Sequence, residues 1–360
     1  MFSHRAQWSA PLNELTVERR KRGALLDLTE TNPTRALDYP ELGEALARGA
    51  RAPYDPDPRG LRSARETLAA HLSCDADDLL LTASTSEAYS FLFKLLCDPG
   101  DEILTPVPSY PLLEHLAALE LVSLRTFPME FHRRWEIHDM PVSPRTRALV
   151  VVNPNNPTGS FVTPREQDAL ASHGLPIVSD EVFLDYPLEG RGTTFVRDDV
   201  LTFTLGGLSK SAGLPHFKLG WIRVSGPGKA EALEALELIA DNFLSVATPV
   251  QAALPELLRL GADIRAAISL RTRTNLAVLR ASATPSMQVL PVEGGWTAVI
   301  RVPRVMSDDE LALALLDRGV VVQPGYFFDF AREGYVVVSL LTREDVFAEG
   351  VRRLAEVCPT

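Results

Sequence analysis

Strand-like and helix-like segments alternate through the middle of this chain, and the alternation restricts the folds open to it. Apolar runs with the length of strands lie at residues 78–82, 102–105, 148–153, 175–179, 200–205 and 220–224. Segments with helical periodicity separate several of them, at residues 86–97, 112–119 and 164–172. Strands that alternate with helices in this way are typical of a parallel sheet. We therefore predict an α/β fold in which a doubly wound, mostly parallel sheet is covered by helices.

The C-terminal part of the chain has a different pattern, which predicts a smaller α+β domain. Helical stretches at residues 229–244 and 250–282 precede strands at 296–302, 320–322 and 335–341 and helices at 307–317 and 342–357. The first of these last two helices opens with Ser307 and Glu310 in the spacing of a capping box. We predict that residues 46–270 form the large domain and that residues 1–45 and 271–360 together form the small one.

The bulk properties permit an enzyme and argue against several other classes. A chain of 360 residues is long enough for two domains with sizeable cores. Its formal charge of −11 disfavours nucleic acid or an anionic membrane as a partner, and no apolar run reaches the length of a membrane span. Cys74, Cys97 and Cys358 are odd in number and lack the spacing of a metal site. We therefore expect reduced thiols, a cytoplasmic location and no metal.

Three successive hydroxyl residues follow the predicted strand at 78–82. Ser84, Thr85 and Ser86 stand at the start of the next predicted helix, where free N–H groups and the positive end of the helix dipole favour a phosphate group. Ligands of an open parallel sheet bind at the carboxyl ends of its strands, as these residues would. An alternative explanation is that Ser84 and Glu87 form a capping box. On this motif alone, the capping box is the favoured explanation.

Two further loops follow predicted strands. Tyr110 lies between prolines in the loop at 106–111, where its ring has either of two uses: stacking on a flat heteroaromatic ligand or ordinary loop packing. Asn155 and Asn156 lie in a turn fixed by two prolines and a glycine at 153–159. Asparagine amides held at a set point are hydrogen-bond donors to a ligand, and a generic turn does not require so many of them.

A carboxylate and an amine follow the last two strands of this series. Asp180 follows the run at 175–179, and its carboxylate has two possible roles: pairing with a protonated pyridine nitrogen or capping a helix. Lys210 lies in a glycine-rich loop just after the run at 200–205. A buried lysine is costly unless it is paired or chemically occupied, and a Schiff base with pyridoxal 5′-phosphate (PLP) is the commonest such occupation. The joint occurrence of all these groups is far less expected by chance than any one of them.

The order of these motifs resembles that of the class I and II aminotransferases, PLP-dependent enzymes of fold type I that are similar to aspartate aminotransferase. The matching segments are residues 84–86, 108–111, 155–159, 180–182 and 209–210. The resemblance implies that Lys210 forms the Schiff base and moves the proton, and that Asp180 pairs the pyridinium nitrogen. It further implies a cofactor-binding set formed by Ser84, Thr85, Ser86, Tyr110, Asn156, Phe183, Ser209, Lys218 and, from the neighbouring subunit of a homodimer with shared sites, Tyr54.

Three positions near the predicted cofactor depart from the family pattern. Lys218 stands where the family usually has an arginine that forks onto the phosphate, and Gly207 stands where a phosphate-binding serine is frequent. Phe183 replaces a tyrosine that donates to the cofactor's ring oxygen. We therefore expect the phosphate to be held less rigidly, and the lysine–cofactor linkage to keep its proton to higher pH.

The largest departure concerns the substrate. The family's carboxylate-binding arginine usually lies in a strand that reads Tyr-x-Arg-x-Ser, and here Val337 occupies its place. Three explanations are open: another cation serves, with Arg35 and Lys218 as candidates; the substrate amine lacks an α-carboxylate; or the activity is weak or altered. The aromatic segment at 325–330 and Trp296 predict either an apolar wall beside the substrate or core packing of the small domain.

The resemblance implies a transaminase that acts on an amino acid or related amine and a 2-oxo acid. Two alternatives are a PLP-dependent lyase or decarboxylase on the same fold, and a PLP-binding protein with weak or no turnover.

Overall fold

The computed structural model describes residues 3, 5, 12–138 and 140–358 of the chain as alternating strands and helices. The strands are β1 (Leu26–Asp27), β2 (Leu79–Thr82), β3 (Glu102–Val107), β4 (Ser123–Pro128), β5 (Glu130–Phe131), β6 (Trp135–Glu136), β7 (Thr146–Val152), β8 (Ile177–Asp180), β9 (Thr202–Gly207), β10 (Gly220–Ser225), β11 (Gln288–Val289), β12 (Thr297–Arg301), β13 (Val320–Val321), β14 (Gln323–Pro324) and β15 (Tyr335–Ser339). The helices are α1 (Glu14–Arg20), α2 (Pro33–Ala36), α3 (Gly43–Gly49), α4 (Arg62–Leu72), α5 (Thr85–Leu96), α6 (Leu112–Leu119), α7 (Pro164–Ala171), α8 (Leu208–Ser211), α9 (Lys229–Asp241), α10 (Thr248–Ala252), α11 (Leu254–Ala281), α12 (Asp308–Asp317) and α13 (Glu344–Val357).

A seven-stranded sheet with the order β2-β10-β9-β8-β7-β3-β4 confirms the predicted fold class. Its neighbouring strands are parallel except for β10, which is antiparallel to both β2 and β9. The carboxyl ends of β2, β3, β7, β8 and β9 therefore share one edge of the sheet. Strand β10 runs in the opposite direction, so its first residue, Gly220, lies at the same edge.

Both faces of this sheet are buried, as its apolar sequence predicts. In β7, Val150 packs in a cluster with residues of α5 and α9, whereas Leu149 and Val151 pack on the opposite face, in a cluster that includes Leu170 of α7. Alternation of side chains along a strand explains how one apolar run supplies two cores.

The C-terminal part forms a second, antiparallel sheet with the order β11-β12-β15-β14. Helices α12 and α13 contribute Leu315 and Phe347 to the apolar core beside it. The predicted capping box is present, since Ser307 accepts from the Glu310 backbone N–H and Glu310 accepts from the Ser307 backbone N–H. The N-terminal strand β1 pairs in parallel with β13 and so ties the start of the chain to this part.

The single helical stretch expected at 250–282 is two helices. Helix α10 ends at Ala252 and α11 begins at Leu254, because Pro255 has no backbone N–H to continue the hydrogen bonds of α10. Helix α11 then runs without a break for 28 residues and passes through residue 270. The division of the chain at that residue stays a prediction. No helix among the described residues has both the length and the apolarity to cross a membrane.

Candidate active site

A cavity of about 390 Å³ opens at the edge of the large sheet where the parallel strands end. Ten of the residues predicted from the sequence line it: Ser84, Thr85, Ser86, Tyr110, Asn156, Asp180, Phe183, Ser209, Lys210 and Lys218. Tyr54 does not belong to this wall; its side chain is 73% exposed and it lines a different, small cavity with Asp55 and Ser245. The strand ends thus bring the predicted groups of one chain together, with Tyr54 as the exception.

The three hydroxyl residues lie at the beginning of α5. Ser84 is the N-cap, and its hydroxyl accepts a hydrogen bond from the Glu87 backbone N–H at 3.3 Å. The Glu87 carboxylate does not return this bond to Ser84, because it accepts instead from the backbone N–H of Ala83 at 2.6 Å. Only half of the alternative capping box therefore forms. The same serine caps the helix and lines the cavity, so the two explanations are compatible.

The start of β10 packs against this helix beginning. A Cβ atom on Gly220 would lie 3.1 Å from the carbonyl carbon of Ser84, so a larger residue would disturb this contact. Gly207 is equally restricted, since a Cβ there would lie 3.3 Å from the Cα atom of Gly220. Lys218, two residues before the strand, is exposed and reaches the cavity wall. The same cavity is thus lined by a lysine and by the positive end of α5, and both suit an anion.

Asp180 ends β8 and is 8% exposed. Its carboxylate accepts hydrogen bonds from the Tyr89 hydroxyl at 3.1 Å and from the Val182 backbone N–H at 3.1 Å. Burial raises the pKa of Asp180 to about 6, although both hydrogen bonds and the Lys210 ammonium oppose the rise. A turn rather than a helix follows, so the alternative role as a helix N-cap is wrong.

The adjacent carboxylate has a different environment. Glu181 accepts hydrogen bonds from the Thr194 hydroxyl at 2.6 Å, the Phe195 backbone N–H at 2.6 Å and the Ser179 hydroxyl at 3.0 Å. Burial raises its pKa to about 7. Glu181 lines a separate cavity with Arg223 and not the one at the strand ends. Two successive acids therefore face different surroundings, and only the first faces the candidate site.

Lys210 lies in the short helix α8, directly after β9. Its loop is closed by a hydrogen bond from the Leu208 backbone N–H to the Leu219 carbonyl at 2.9 Å, and the Tyr186 hydroxyl donates to the Lys210 carbonyl at 2.5 Å. The Lys210 Nζ atom lies 5.1 Å from the ring centroid of Trp296 and 5.9 Å from that of Phe183. Burial lowers the pKa of Lys210, and the charge of Asp180 opposes part of this decrease. The amine is therefore held where its neutral form is less costly than in a lysine exposed to solvent.

The asparagines of the turn at 153–159 have separate tasks. The amides of Asn153 and Asn155 donate to the carbonyls of Thr193 and Pro108, at 3.0 and 2.9 Å, and so hold the loops in place. Asn156 instead lines the cavity, and its Oδ1 atom is buried without a hydrogen-bond partner among the described residues. One amide of the three is thus available to a bound molecule.

The aromatic residues for which the sequence left two explanations, a wall beside the substrate or core packing, differ in the structure. Trp296 is 1% exposed and Phe328 is 4% exposed, and both line the cavity while they pack in apolar clusters. Phe330 is not part of the wall and packs against the Trp135 ring, with centroids 5.6 Å apart. Tyr110 is 47% exposed and faces the cavity from its loop.

Several residues of the wall were not found by sequence reasoning. Tyr89 lies one helical turn after Thr85 on α5, so helical spacing was a usable signal for it. Thr31, Thr297 and Gln323 come from the N-terminal segment and the small sheet. Their positions follow from pairing between distant strands, and no local motif marks them.

Val337, which replaces the arginine usual in the family, is fully buried. Its side chain packs in an apolar cluster with Trp135 and Phe330 and does not reach the cavity. Arg35, one of the cations proposed in its place, has a side chain that is 75% exposed, pairs with Glu30 at 3.9 Å and lies outside the cavity wall. Lys218 is the one of the two that the structure brings to the wall.

PLP, which the sequence resemblance implies, fits the residues present. The buried Asp180 carboxylate suits a cationic ring nitrogen, and the beginning of α5 with Lys218 suits a phosphate. The side-chain N–H groups of Asn156 donate no hydrogen bond to any described residue, so they suit a ring oxygen. The Lys210 amine lies in the same cavity.

Comparisons with known proteins agree with this interpretation. The family model for aminotransferase class I and II matches residues 22–354. The chain is 30% identical over 372 aligned positions to aspartate/prephenate aminotransferase of Thermus thermophilus, which covers 96% of this chain and 94% of that protein. It is 26% identical over 345 positions to tyrosine aminotransferase of Homo sapiens, and this alignment covers 88% of this chain and 75% of that protein.

Two other matches are narrower in what they show. The chain is 32% identical over 223 positions to nicotianamine aminotransferase 1 of Oryza sativa subsp. japonica, and this match spans 45% of that protein. The solved structure of tyrosine aminotransferase from Leishmania infantum superposes with a TM-score of 0.83 at 19% identity, over 98% of this chain and 99% of that one. At this identity the superposition shows the fold alone.

Proposed function

The chain belongs to the class I and II aminotransferases and is therefore a PLP-dependent transaminase, and we propose that Lys210 and Asp180 are its catalytic residues. The observation that carries this assignment is the meeting of a partly buried amine, a buried carboxylate and a helix N-terminus in one cavity. A lyase, a decarboxylase or a PLP-binding protein without turnover is not favoured, because the similar curated proteins are aminotransferases.

When bound, PLP would supply a carbonyl for the amino group and an electron-withdrawing ring. Lys210 would hold the cofactor covalently, and its free amine would take the proton from the donor carbon. A lowered pKa suits this task, because only the unprotonated amine is a base. Asp180 keeps the ring nitrogen protonated, and the Tyr89 hydroxyl holds the carboxylate in position.

The remaining predicted residues bind and orient. Ser84, Thr85, Ser86 and Ser209 line the cavity together with Lys218 and would hold the phosphate. Asn156 would donate to the ring oxygen, and Tyr110 would stack on the ring. Phe183 and Trp296 enclose the Lys210 amine and exclude water from it. The substrates of this reaction are an amino acid or related amine and a 2-oxo acid.

Borohydride reduction of the holoenzyme tests the covalent role of Lys210. Reduction fixes an attached cofactor, and we expect peptide mass spectrometry to find it on Lys210 alone. Lys210→Ala removes the fixed label and lowers transamination by about 10⁴-fold or more. Lys229→Ala is the matched control, because this lysine forms a surface ion pair with Asp78 at 2.7 Å. A label that survives in Lys210→Ala contradicts the proposal.

A homodimer with shared sites is part of the proposal. Tyr54 is 73% exposed and lies outside the cavity of its own chain, as a residue that completes a neighbouring subunit's phosphate site would. Sedimentation of the holoenzyme tests the dimer, and Tyr54→Phe tests whether the hydroxyl contributes to cofactor affinity. We also propose a cytoplasmic location, which is supported by three free cysteines.

A further inference from the structure

The charged side chains of the cavity wall are few. Among the residues that the structure describes there, they are Asp180, Lys210 and Lys218, and the wall contains no arginine. Under the proposed function, Lys210 is occupied by the cofactor and Asp180 by the ring nitrogen. Lys218 lies just before β10, whose first residue packs against Ser84, and we assign its ammonium group to the phosphate. Among the described residues of the wall, no further cation is then left to bind a substrate carboxylate.

The part of the wall contributed by the N-terminal segment and by the chain after residue 295, which we name the substrate end, is formed by Thr31, Trp296, Thr297, Gln323 and Phe328. All five side chains are uncharged. Thr297 already donates its hydroxyl to the Pro157 carbonyl at 2.9 Å. The side-chain amide of Gln323 has no hydrogen-bond partner among residues 12–138 and 140–358, so it is free to bind a ligand.

Strand register explains why Gln323 has this position. Val337 of β15 is paired with Val299 of β12 on one side and with Gln323 of β14 on the other. Side chains directly opposite each other in antiparallel strands point to the same face of the sheet. Val299 and Val337 accordingly share one apolar cluster, which is closed by Phe328. Gln323 lies on that same face but reaches the cavity, and it presents a neutral amide beside the position of Val337.

From this distribution of charge we propose that the preferred amino donor is a primary amine without an α-carboxylate. It bears a neutral hydrogen-bonding group, a hydroxyl or an amide, where an amino acid bears its carboxylate, and the Gln323 amide binds that group. The inference rests on the proposed function, because it assigns Lys210 and Lys218 to the cofactor. A carboxylate is costly to desolvate without a cation or several donors to receive it. A carboxylate at this position therefore contributes less affinity than a neutral hydrogen-bonding group.

The test compares two unreactive ligands that differ in one group. The holoenzyme is titrated calorimetrically with 3-phenylpropanamide and with 3-phenylpropanoate, whose phenyl rings suit the aromatic wall equally. We expect the amide to bind at least 10-fold more tightly than the carboxylate. Equal affinities, tighter binding of the carboxylate (as a cation from a second subunit would produce) or no binding by either compound overturns the proposal.

A charge-introducing variant supplies an independent result. Gln323→Arg places a cation at the substrate end, and we expect it to reverse the preference in favour of the carboxylate by about 10-fold. Gln288→Arg is the control, because this exposed glutamine lies in β11 of the same sheet, away from the cavity. An unchanged preference in Gln323→Arg, with folding verified by circular dichroism, contradicts the assignment of Gln323.

The two proposals fail in different measurements. Absence of the borohydride label on Lys210 contradicts the proposed function, whereas the ratio of the two dissociation constants is measured without turnover. A labelled Lys210 together with tighter carboxylate binding overturns only the substrate assignment.

Discussion

The two ends of the cavity differ in how many of their polar groups are constrained by the protein. At the end that holds Asp180 and Lys210, a tyrosine hydroxyl positions the carboxylate and another fixes the lysine's carbonyl. At the substrate end, the side-chain amide of Gln323 has no hydrogen-bond partner among the described residues. Val337, which is paired with it in the sheet, is buried in an apolar cluster. The comparison indicates that cofactor binding is prescribed in detail by this chain, whereas substrate binding depends on one neutral group and on shape.

The strongest test of the cofactor end is Asp180→Asn. An amide cannot keep the ring nitrogen protonated, so we expect kcat to decrease by about 10²- to 10³-fold, measured by steady-state transamination.

The same change should stabilise the apoprotein above pH 6. In the folded chain the Asp180 pKa is raised to about 6. Between about pH 4 and 6, this carboxyl is therefore more protonated in the folded chain than in the unfolded chain. Stability is therefore lost as pH rises through that window, by up to about 3 kcal/mol.

Denaturant unfolding of the apoprotein at pH 4.5 and pH 8 measures this effect, and the loss should be smaller in Asp180→Asn than in the unmodified chain. Glu181→Gln is the matched control for activity, since Glu181 accepts three hydrogen bonds and faces away from the cavity. It is not a control for the pH dependence, because burial raises the Glu181 pKa to about 7 and its removal also reduces the loss of stability. It should destabilise the fold by about 1–3 kcal/mol and leave the cofactor spectrum unchanged. If both variants lose activity equally, the distinction between the two carboxylates is wrong.

Val337→Ala tests whether this residue belongs to the core or to the substrate end. Removal of two buried methyl groups should lower the free energy of unfolding by about 1–3 kcal/mol, measured by denaturant titration. We expect kcat/KM to stay within about 3-fold of the unmodified enzyme, because the side chain does not reach the cavity. Val305→Ala is the control, as that valine is 68% exposed. A loss of kcat/KM without a loss of stability contradicts the core assignment.

Lys218 is expected to have a smaller effect on the cofactor end. Lys218→Ala should weaken PLP binding by about 10-fold, because one charge near the phosphate is removed from an exposed position. Lys218→Arg should strengthen binding a few-fold through a forked contact. Fluorescence titration of the apoprotein with PLP measures both. Lys94→Ala, which breaks a surface pair with Glu120, serves as control. Identical affinities in all three variants exclude Lys218 from the phosphate.

The smallest expected effect comes from Phe183→Tyr. The new hydroxyl should donate to the ring oxygen of the cofactor and lower, by about 1 pH unit, the pH at which the visible absorbance band of the holoenzyme titrates. Phe183→Leu is the matched control, because it removes the aromatic ring without adding a donor. The centroid of that ring lies 5.2 Å from the centroid of the Trp296 ring. A downward shift in both variants attributes the effect to packing and contradicts the role of the hydroxyl.

The sequence predicted the fold best where apolar patterns are strong. The helix at 112–119 has its predicted ends, and the strand predicted at 148–153 is observed as Thr146–Val152. Helix α4 and strand β4 were missed. Most residues of β4 are exposed, since it is an edge strand, so no apolar run marks it. Its presence follows from pairing with β3.

The candidate site was predictable to the extent that its groups follow strands in the sequence. Asp180 directly follows an apolar run and Lys210 lies in the loop after the next one, and the edge of a parallel sheet brings such residues together. Gln323 was not predictable in this way, because its place depends on the register of β14 against β15, which lie in a separate sheet. The same holds for Thr31, which reaches the cavity from the segment after β1.

The length and position of helix α11 have a consequence for how this protein unfolds. Its first turns, through Leu257 and Ile264, pack in the core beside Lys210's loop, and its last turns, through Leu276 and Leu279, pack in the core of the small sheet. A helix of 28 residues extends about 42 Å, so one continuous rod has its two ends in different cores. Melting either core unravels an end of that rod and removes contacts from the other. Heat should therefore denature both cores in one cooperative transition, and limited proteolysis should not release the small sheet as an intact fragment.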